Sequence, residues 1–305
     1  MKKIYETIII GGGIAGCTAA VYAARKKMDF LLITENVGGQ MWESVEIFNF
    51  PGINKISGAD FSQRIQEQLD FNQIKIKSGV QVNKIVKKGK LFLLRTDSGD
   101  FFSKTMIIAT GSHPRTLDVP GEKEFRNMGV TYCAICDGPL FKGKDVAIIG
   151  GGNSALEAVD FLSKVAKKIY VLNVNPNFNN VHASLLEKAV KSKNVKIIYN
   201  ALTIKINGDR FVKSLEYTQK GKFHTLSVQG VFVEIGRIPA VDLVKGLLKL
   251  DEHNHILVDC QTNTSVPGIF AVGDCSSVHE YQYVIAAGQG CIALLKAAKY
   301  LARQK

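Results

Sequence analysis

Short apolar runs alternate with segments of helical periodicity along this chain. Residues 8–10 and 30–34 are apolar runs, and the Ala-rich stretch over 17–27 between them predicts a helix. The same order returns at 146–149 and 169–174, again with a helix predicted between the runs. Continuous apolar strands joined by helices are typical of parallel sheets covered on both faces. The pattern predicts an α/β protein with two Rossmann-like, three-layer nucleotide-binding domains.

A glycine-rich turn follows the first of these strands. Gly11, Gly13 and Gly16 fit the spacing G-x-G-x-x-G. Glycines at this spacing let the backbone approach a pyrophosphate at the N-terminus of a helix. Glu35 ends the next strand, where an acid accepts hydrogen bonds from an adenosine ribose. The order of strand, turn, helix, strand and acid therefore predicts a dinucleotide site.

A second turn of the same kind begins at Gly150. Gly150, Gly152 and Ala155 repeat the spacing after the strand at 146–149. A second complete unit indicates a second nucleotide-binding domain. The alternative is that this turn serves only tight packing between strand and helix.

The second domain is predicted to interrupt the first. An apolar strand runs into Gly111, and a similar strand near the C-terminus ends at Gly273 and Asp274. An Asp at the carboxyl end of a parallel strand lies where α/β sheets bind ligands. We therefore expect residues 1–114 and 242–305 to form one discontinuous domain, and residues 115–241 to form the inserted one.

Two cysteines at Cys-x-x-Cys spacing precede the second turn. Cys133 and Cys136 can close a small disulfide ring that exchanges two electrons, and Asp137 follows at once as a candidate general acid and base. A zinc site needs four ligands, and there is neither a second Cys-x-x-Cys nor a nearby Cys/His set. No metal is expected. The other cysteines, Cys17, Cys260, Cys275 and Cys291, are interpreted as structural.

Composition limits the classes of partner that the protein is expected to bind. The 305 residues include 39 Lys and Arg and 27 Asp and Glu, a net charge of +12. This charge favours anionic partners or simply gives solubility. The basic residues are scattered, which argues against nucleic acid. No apolar stretch is expected to reach transmembrane length, and the N-terminus lacks a signal-peptide pattern, so a cytoplasmic location is expected.

Seven motifs in order resemble the low-molecular-weight thioredoxin reductases and the related reductase core of the alkyl hydroperoxide reductase flavoprotein. They are the Gly11 turn, Gly38-Gly39-Gln40, Asn49-Phe50-Pro51-Gly52, Ala109-Thr110-Gly111, Cys133-x-x-Cys136-Asp137-Gly138, Gly150-Gly151-Gly152-Asn153-Ser154 and Gly273-Asp274. The resemblance covers nearly the whole chain. It implies a homodimeric, FAD-dependent thioredoxin-disulfide reductase whose partner is a thioredoxin-like protein.

The resemblance also implies site residues. FAD is expected to contact Gly11, Gly13, Ile14, Ala15, Gly16, Glu35, Gly39, Gln40, Asn49, Val82, Ala109, Thr110, Gly111, Gly273, Asp274 and Gln282. A further nucleotide is expected at Gly150, Gly152, Asn153 and Ser154. In the family the second cysteine, here Cys136, lies nearest the flavin. The first, Cys133, attacks the partner disulfide, and Asp137 moves a proton.

One segment departs from the family pattern. Typical NADPH-using relatives carry several Arg and a His after the second strand of the inserted domain, and these grip the 2′-phosphate. Residues 173–180 here are rich in Asn and contain no Lys or Arg, and the first base is His182. This argues against NADPH. Asn173 can hydrogen-bond a ribose, so NADH stays open, as does reduced ferredoxin, an acidic protein that the net charge would attract.

Three other functions stay open. One is a reductase that feeds a peroxiredoxin, as in alkyl hydroperoxide systems. Another is an ordinary NAD(P)H-dependent thioredoxin reductase. The third is a flavin-binding module without turnover, against which the intact Cys133, Cys136 and Asp137 argue.

Overall fold

The computed structural model describes residues 3–44 and 46–304. The chain divides into two compact units, Met1–His113 with Ile238–Lys305, and Pro114–Arg237. Each unit contains a parallel sheet with helices, which confirms the predicted α/β class with two Rossmann-like halves.

The strands are β1 Ile4–Ile10, β2 Phe30–Thr34, β3 Ile76–Ser78, β4 Val82–Lys88, β5 Leu91–Thr96, β6 Gly99–Ile108, β7 Ser112–Pro114, β8 Val130–Thr131, β9 Asp145–Ile149, β10 Lys168–Asn173, β11 Val195–Tyr199, β12 Ala201–Gly208, β13 Val212–Gln219, β14 Lys222–Ser227, β15 Gly230–Val233, β16 Arg237–Pro239 and β17 Ile269–Ala271. The helices are α1 Ile14–Arg25, α2 Gly58–Phe71, α3 Ala134–Asp137, α4 Asn153–Leu162, α5 Ala183–Lys191 and α6 Tyr283–Ala302. Short 3₁₀ turns cover Gly39–Glu43, Gly138–Phe141, Asp242–Val244 and Gly273–Cys275.

The first unit is built on a seven-stranded sheet. Its order is β3-β2-β1-β6-β5-β4, and β17 also pairs with β6. The central strand β1 is parallel to β2 and β6, so its residues Ile8, Ile9 and Ile10 are almost completely buried. Because the strands are parallel, the ends of β1, β6 and β17 meet at one edge, and this edge carries the first site.

Helix α6 packs beside α1 on one face of that sheet. The approach is close: a Cβ added at Gly290 would lie 2.1 Å from the carbonyl oxygen of Ala15. Ala293 and Ala297 are fully buried in the same core. By length and composition α6 could cross a membrane, and it is the one such helix among the described residues. Length and composition alone do not separate a membrane-spanning helix from a helix packed in a protein core, and α6 packs closely against α1.

The second unit holds a five-stranded parallel sheet, β11-β10-β9-β15-β8. Helix α4 packs on β9 and β10 through Leu156, Val159 and Leu162, all nearly inaccessible to solvent. A separate antiparallel sheet, β12-β13-β14, completes this unit. The parallel sheet therefore places the C-terminal ends of β9, β10 and β15 side by side.

Candidate functional site

Gly11 and Gly16 of the first glycine turn have no room for a side chain. Gly11 has a φ of +112°, and a Cβ there would lie 2.1 Å from the carbonyl oxygen of Ala109. A Cβ at Gly16 would lie 1.9 Å from the carbonyl oxygen of Gly11. The backbone after β6 and the first turn of α1 therefore pack closely against the turn, as the spacing G-x-G-x-x-G requires.

The glycine turn has free space at Gly13. A Cβ at Gly13 would meet no described atom within 4 Å, and Gly13 stands at the N-terminus of α1 without a side-chain cap from the described residues. The first turn, which begins at Ile14 and Ala15, contains no acidic residue. Uncapped backbone N–H groups and the helix dipole attract an anion at such a place. The turn thus fits the pyrophosphate of FAD.

Glu35 lies one residue beyond β2, and its side chain is exposed. The neighbouring turn is fixed by Thr34, whose Oγ1 donates to the carbonyl oxygen of Asn36 at 2.6 Å. The backbone N–H of Gly79 donates to the carbonyl oxygen of Glu35 at 3.1 Å, and Val82 follows three residues later at the start of β4. The chain therefore passes the Glu35 turn shortly before β4 begins at Val82, and the exposed Glu35 carboxylate is available to a ribose.

The predicted carboxamides and the carboxylate come together in two pairs. Gln40 Nε2 donates to Asp274 Oδ2 at 3.1 Å, and Ser112 Oγ reaches the same oxygen at 3.4 Å. Asn49 Nδ2 donates to Gln282 Oε1 at 3.0 Å. The two pairs, called the polar wall below, each join residues from separate segments and offer donors and acceptors of the kind that a ribityl chain and a flavin edge need.

The ends of β6 and β17 hold the remaining predicted residues. Thr110 Oγ1 donates to the carbonyl oxygen of Ala240 at 2.7 Å, and the N–H of Ala240 donates back to the carbonyl oxygen of Gly111 at 3.0 Å. A Cβ added at Gly111 would touch Gln40 Nε2, 3.5 Å away. Gly273 has a φ of +69°, and its N–H donates to a side chain of helix α6.

Sequence reasoning missed two residues that support this wall. Gln289 Oε1 accepts the N–H of Gly273 at 2.7 Å, and the Tyr283 hydroxyl lies 2.7 Å from Ser44 Oγ and 3.4 Å from the Gln40 carbonyl oxygen. Gln289 carried a signal in the sequence, because a polar side chain on the buried face of an apolar helix needs a partner.

The dithiol of the second unit is a closed disulfide. Cys133 and Cys136 are bonded across the first turn of α3, with their Cα atoms 5.3 Å apart. Cys133 caps this helix, and its Sγ accepts the N–H of Cys136 at 3.2 Å. Both cysteines are half-buried. The predicted redox-active pair is confirmed as a disulfide-bonded pair that solvent can still reach.

Asp137 ends the same helix. Its carboxylate accepts a short hydrogen bond from Thr131 Oγ1, and its N–H donates to the Cys133 carbonyl oxygen at 3.1 Å. Burial raises the pKa of Asp137, although the hydrogen bond from Thr131 opposes the change. A carboxyl group with a raised pKa is protonated in a larger fraction of molecules, so it has a proton to give to a thiolate.

Glu234 is a second acid at the dithiol, and sequence reasoning missed it. It directly follows β15, and its Oε1 accepts the N–H of Ala134, next to Cys133, at 3.3 Å. Burial raises the pKa of Glu234 to about 8, against a lowering contribution from Arg237. The signal was present, because Glu234 ends a buried strand just as Glu35 and Asp274 follow theirs.

The second glycine turn repeats the geometry of the first. A Cβ at Gly150 would lie 2.3 Å from the carbonyl oxygen of Glu234, whereas one at Gly152 would meet no described atom within 4 Å. Asn153 and Ser154 begin α4, which no described side chain caps at its N-terminus. The turn is closely packed on one side and open on the other, so it also fits a phosphate.

Asn173 is engaged in its own loop. Its side chain is fully buried, with Oδ1 accepting the N–H of Asn175 at 2.9 Å and Nδ2 donating to the Asn177 carbonyl oxygen at 3.0 Å. The oxygen and the nitrogen of the Asn173 side-chain amide are therefore both hydrogen-bonded within this loop. Asn153 Oδ1 similarly accepts the N–H of His182 at 2.8 Å.

The four other cysteines differ in exposure. Cys17 and Cys275 are buried, and burial raises the pKa of Cys17 to about 12 and also raises the pKa of Cys275. Both are therefore inert thiols, as structural cysteines are. Cys291 is only half-buried and Cys260 is exposed, so the structural interpretation does not rest on burial for these two.

Known proteins share this arrangement. Residues 5–290 match the family model of pyridine nucleotide-disulphide oxidoreductases. The chain is 38% identical to the NADH dehydrogenase of Bacillus subtilis and 37% identical to an alkyl hydroperoxide reductase subunit of Escherichia coli, with the matches covering 99% and 100% of this chain. It spans 60% of the length of each of these curated relatives.

A solved structure matches over both full lengths. The thioredoxin reductase of Streptococcus pyogenes is 34% identical, with a TM-score of 0.92 and coverage of 99% of this chain and 100% of that one. The family match, this structure and the Cys133–Cys136 disulfide confirm the resemblance drawn from the motifs. The chain belongs to the pyridine nucleotide-disulphide oxidoreductase family, as a member that resembles the thioredoxin reductases.

Proposed function

We propose that this chain is a flavin-dependent reductase that passes electrons from FAD to the Cys133–Cys136 disulfide and then to a disulfide of a thioredoxin-like protein. The observation that carries the proposal is the closed Cys133–Cys136 disulfide with two acids of raised pKa, Asp137 and Glu234, at the same short helix. A purely structural disulfide does not need proton-holding groups beside it.

The first unit fits FAD. The open face of Gly13 suits the pyrophosphate, Glu35 suits the adenosine ribose, and the wall of Gln40, Asp274 and Gln282 suits the ribityl chain and the flavin. Bound FAD supplies a reversible store of two electrons. The protein contributes the orientation of this cofactor through residues that are already hydrogen-bonded to one another.

The dithiol chemistry balances on the chain's own residues. Two electrons and two protons convert the Cys133–Cys136 disulfide into two thiols. The Cys133 thiol gives its proton to the Asp137 carboxylate, and the resulting thiolate attacks the partner disulfide, which forms a mixed disulfide and releases one partner sulfur as a thiolate. Asp137 passes that proton to the released thiolate. Cys136 finally attacks the Cys133 sulfur, its proton goes to the second partner sulfur as that sulfur leaves, and the original disulfide is restored.

NADH is the donor we propose. The loop over residues 173–180 contains no Lys or Arg to bind a 2′-phosphate, and the Bacillus subtilis relative is named an NADH dehydrogenase. The open face of Gly152 leaves room for a nucleotide phosphate. Reduced ferredoxin is the alternative donor, which the net charge of +12 favours.

The donor is tested by following the flavin absorbance without oxygen. We expect rapid bleaching by NADH at micromolar concentration and slow bleaching by NADPH. Equal or faster bleaching by NADPH would contradict our interpretation of the Asn-rich loop, and bleaching by reduced ferredoxin alone would replace NADH by the alternative.

A peroxiredoxin system is the second candidate function. The Escherichia coli relative is a subunit of an alkyl hydroperoxide reductase, and this chain spans 60% of it. We expect this chain to reduce a thioredoxin-like protein directly. If peroxide is consumed only when a peroxiredoxin is present, and thioredoxin-like proteins stay oxidised, the second function holds instead. We also propose a location in the reducing cytoplasm, because a dithiol reductase needs a supply of reduced donor. The homodimer that the family resemblance implies is part of the same proposal.

A further inference from the structure

A tight turn in the first unit brings two side chains together, far along the chain from the dithiol. Leu250 and Ile256 form an antiparallel bridge, and the N–H of Asp251 donates to the His255 carbonyl oxygen at 2.9 Å. Asp251 Oδ1 in turn accepts the N–H of His255 at 2.8 Å. Asn254, with a φ of +66°, allows the turn to close.

A third side chain arrives from the loop before α6. His279 Nε2 lies 2.9 Å from Asp251 Oδ2, and the rings of His279 and His255 are 4.5 Å apart. One ligand atom from each of these three residues lies within 4.8 Å of the others, the one such group among the described residues. The three residues, Asp251, His255 and His279, are called the His–Asp cluster below.

The cluster contains a buried nitrogen without a partner. His255 is only 2% exposed, and its Nδ1 finds no hydrogen-bond partner among the described residues. Its other ring nitrogen, Nε2, lies 3.0 Å from the Tyr281 hydroxyl. Leaving a buried polar atom unpaired destabilises the folded state. A ligand that accepts the Nδ1 lone pair would remove that destabilisation.

We propose that the His–Asp cluster binds one divalent metal ion of the zinc class. Two imidazole nitrogens and one carboxylate oxygen are ligands that Zn²⁺ prefers, whereas Mg²⁺ and Ca²⁺ prefer oxygen alone. Tyr281 stands where a metal-bound histidine usually finds a partner for its second nitrogen. Three protein ligands leave a fourth position for water or for the exposed His253, whose ring is 6.0 Å from that of His279.

The three ligand atoms of the His–Asp cluster need to move only slightly closer together to bind zinc. Three atoms no more than 4.8 Å apart lie within about 2.8 Å of a common point. Zinc sites have ligand distances of about 2.0–2.2 Å. His279 is 41% exposed at its side chain and lies in a loop, so it can move inward.

Binding would also stabilise a segment of the proposed flavin site. His279 and Tyr281 directly precede Gln282, which is hydrogen-bonded to Asn49. An ion held by the His–Asp cluster would tie this loop to the turn at Asp251. The inference does not depend on the proposed function, since metal binding is measured without turnover.

The test is a titration of tag-free, oxidised, FAD-loaded protein that has been stripped with a chelator. Zn²⁺ is followed by calorimetry, and Co²⁺ by its visible absorbance. We expect one ion per chain with a Kd in the micromolar range or lower. Asp251→Asn and His279→Gln should each weaken binding at least tenfold, while His182→Gln, a change at an exposed histidine of the other unit, should leave it unchanged.

A second measurement controls for misfolding. Zn²⁺ should raise the melting temperature of the wild type and of His182→Gln, because an ion that binds only the folded state stabilises it. It should not raise that of His279→Gln, whose melting temperature without metal is compared first. If the wild type takes up no ion, or if the cluster variants bind as tightly as the wild type, the proposal is overturned.

Discussion

At the scale of single residues, two acids, Asp137 and Glu234, lie beside the dithiol, and in the proposed mechanism Asp137 moves the proton. Asp137 lies in the Cys-x-x-Cys-Asp motif and could be predicted from it. Glu234 could not be assigned to the dithiol from the sequence, because its contact with the N–H of Ala134 joins residues 100 positions apart. Asn173 shows the same limit, since only the folded loop shows that the oxygen and the nitrogen of its side-chain amide are already hydrogen-bonded.

Replacing Glu234 by Gln should change how stability depends on pH. The pKa of Glu234 is about 8 in the folded protein and 4.5 ordinarily, so the folded state holds a proton that the unfolded state has lost between these values. The wild type therefore loses stability as the pH rises from about 4.5 to about 8, by on the order of 5 kcal/mol. Glu234→Gln should lose less over this range in denaturant titrations of the oxidised protein at pH 5 and 9. Parallel losses in both proteins would show that burial does not raise the pKa of Glu234.

Replacing Asp137 by Asn should slow the dithiol step. The variant keeps the size of the side chain but cannot donate a proton, so we expect the rate of protein disulfide reduction to fall roughly 100-fold. Asp118→Asn, a change at an exposed acid of the same unit, serves as the control. Stopped-flow measurement of thiol exchange decides the matter, and an unchanged rate would remove Asp137 from the mechanism.

At the scale of elements, the sequence predicted the parts that depend on local pattern. Apolar runs such as β1 and β9 identify buried parallel strands because both of their faces are covered. The antiparallel sheet of β12, β13 and β14 was not predicted, since β12 and β13 mix buried with more exposed residues, β14 has no buried residue, and none of the three contains such a run.

Alanine substitutions at Gly11 and at Gly13 are expected to have different effects. Gly11→Ala would place a Cβ 2.1 Å from the Ala109 carbonyl oxygen, so we expect loss of folded protein. Gly13→Ala meets no described atom within 4 Å, so it should fold normally but carry a methyl group where the pyrophosphate binds. We expect a folded protein with at least tenfold weaker FAD binding.

The matched control for this pair is Gly288→Ala in α6, where the added Cβ also meets no described atom within 4 Å. Flavin content per chain and circular dichroism are measured for all three variants. Full flavin content in folded Gly13→Ala would contradict the assignment of the first turn to FAD.

At the scale of the whole molecule, the two units carry different parts of the proposed reaction. The unit formed by Met1–His113 and Ile238–Lys305 contains the turn and polar wall that fit FAD, and the unit Pro114–Arg237 contains the dithiol. The motif order was sufficient to predict two Rossmann-like halves and the family. The donor and the partner were not predictable to the same degree, because they depend on exposed loops rather than on buried strands.

The central claim is that electrons leave this protein only through Cys133 and Cys136. The most direct test reduces Cys136→Ser and wild-type enzyme with NADH in the absence of oxygen, and then adds an oxidised thioredoxin-like protein. We predict that the flavin of both proteins bleaches but that only the wild type produces partner thiols. Partner thiols formed by Cys136→Ser at the wild-type rate would contradict this account.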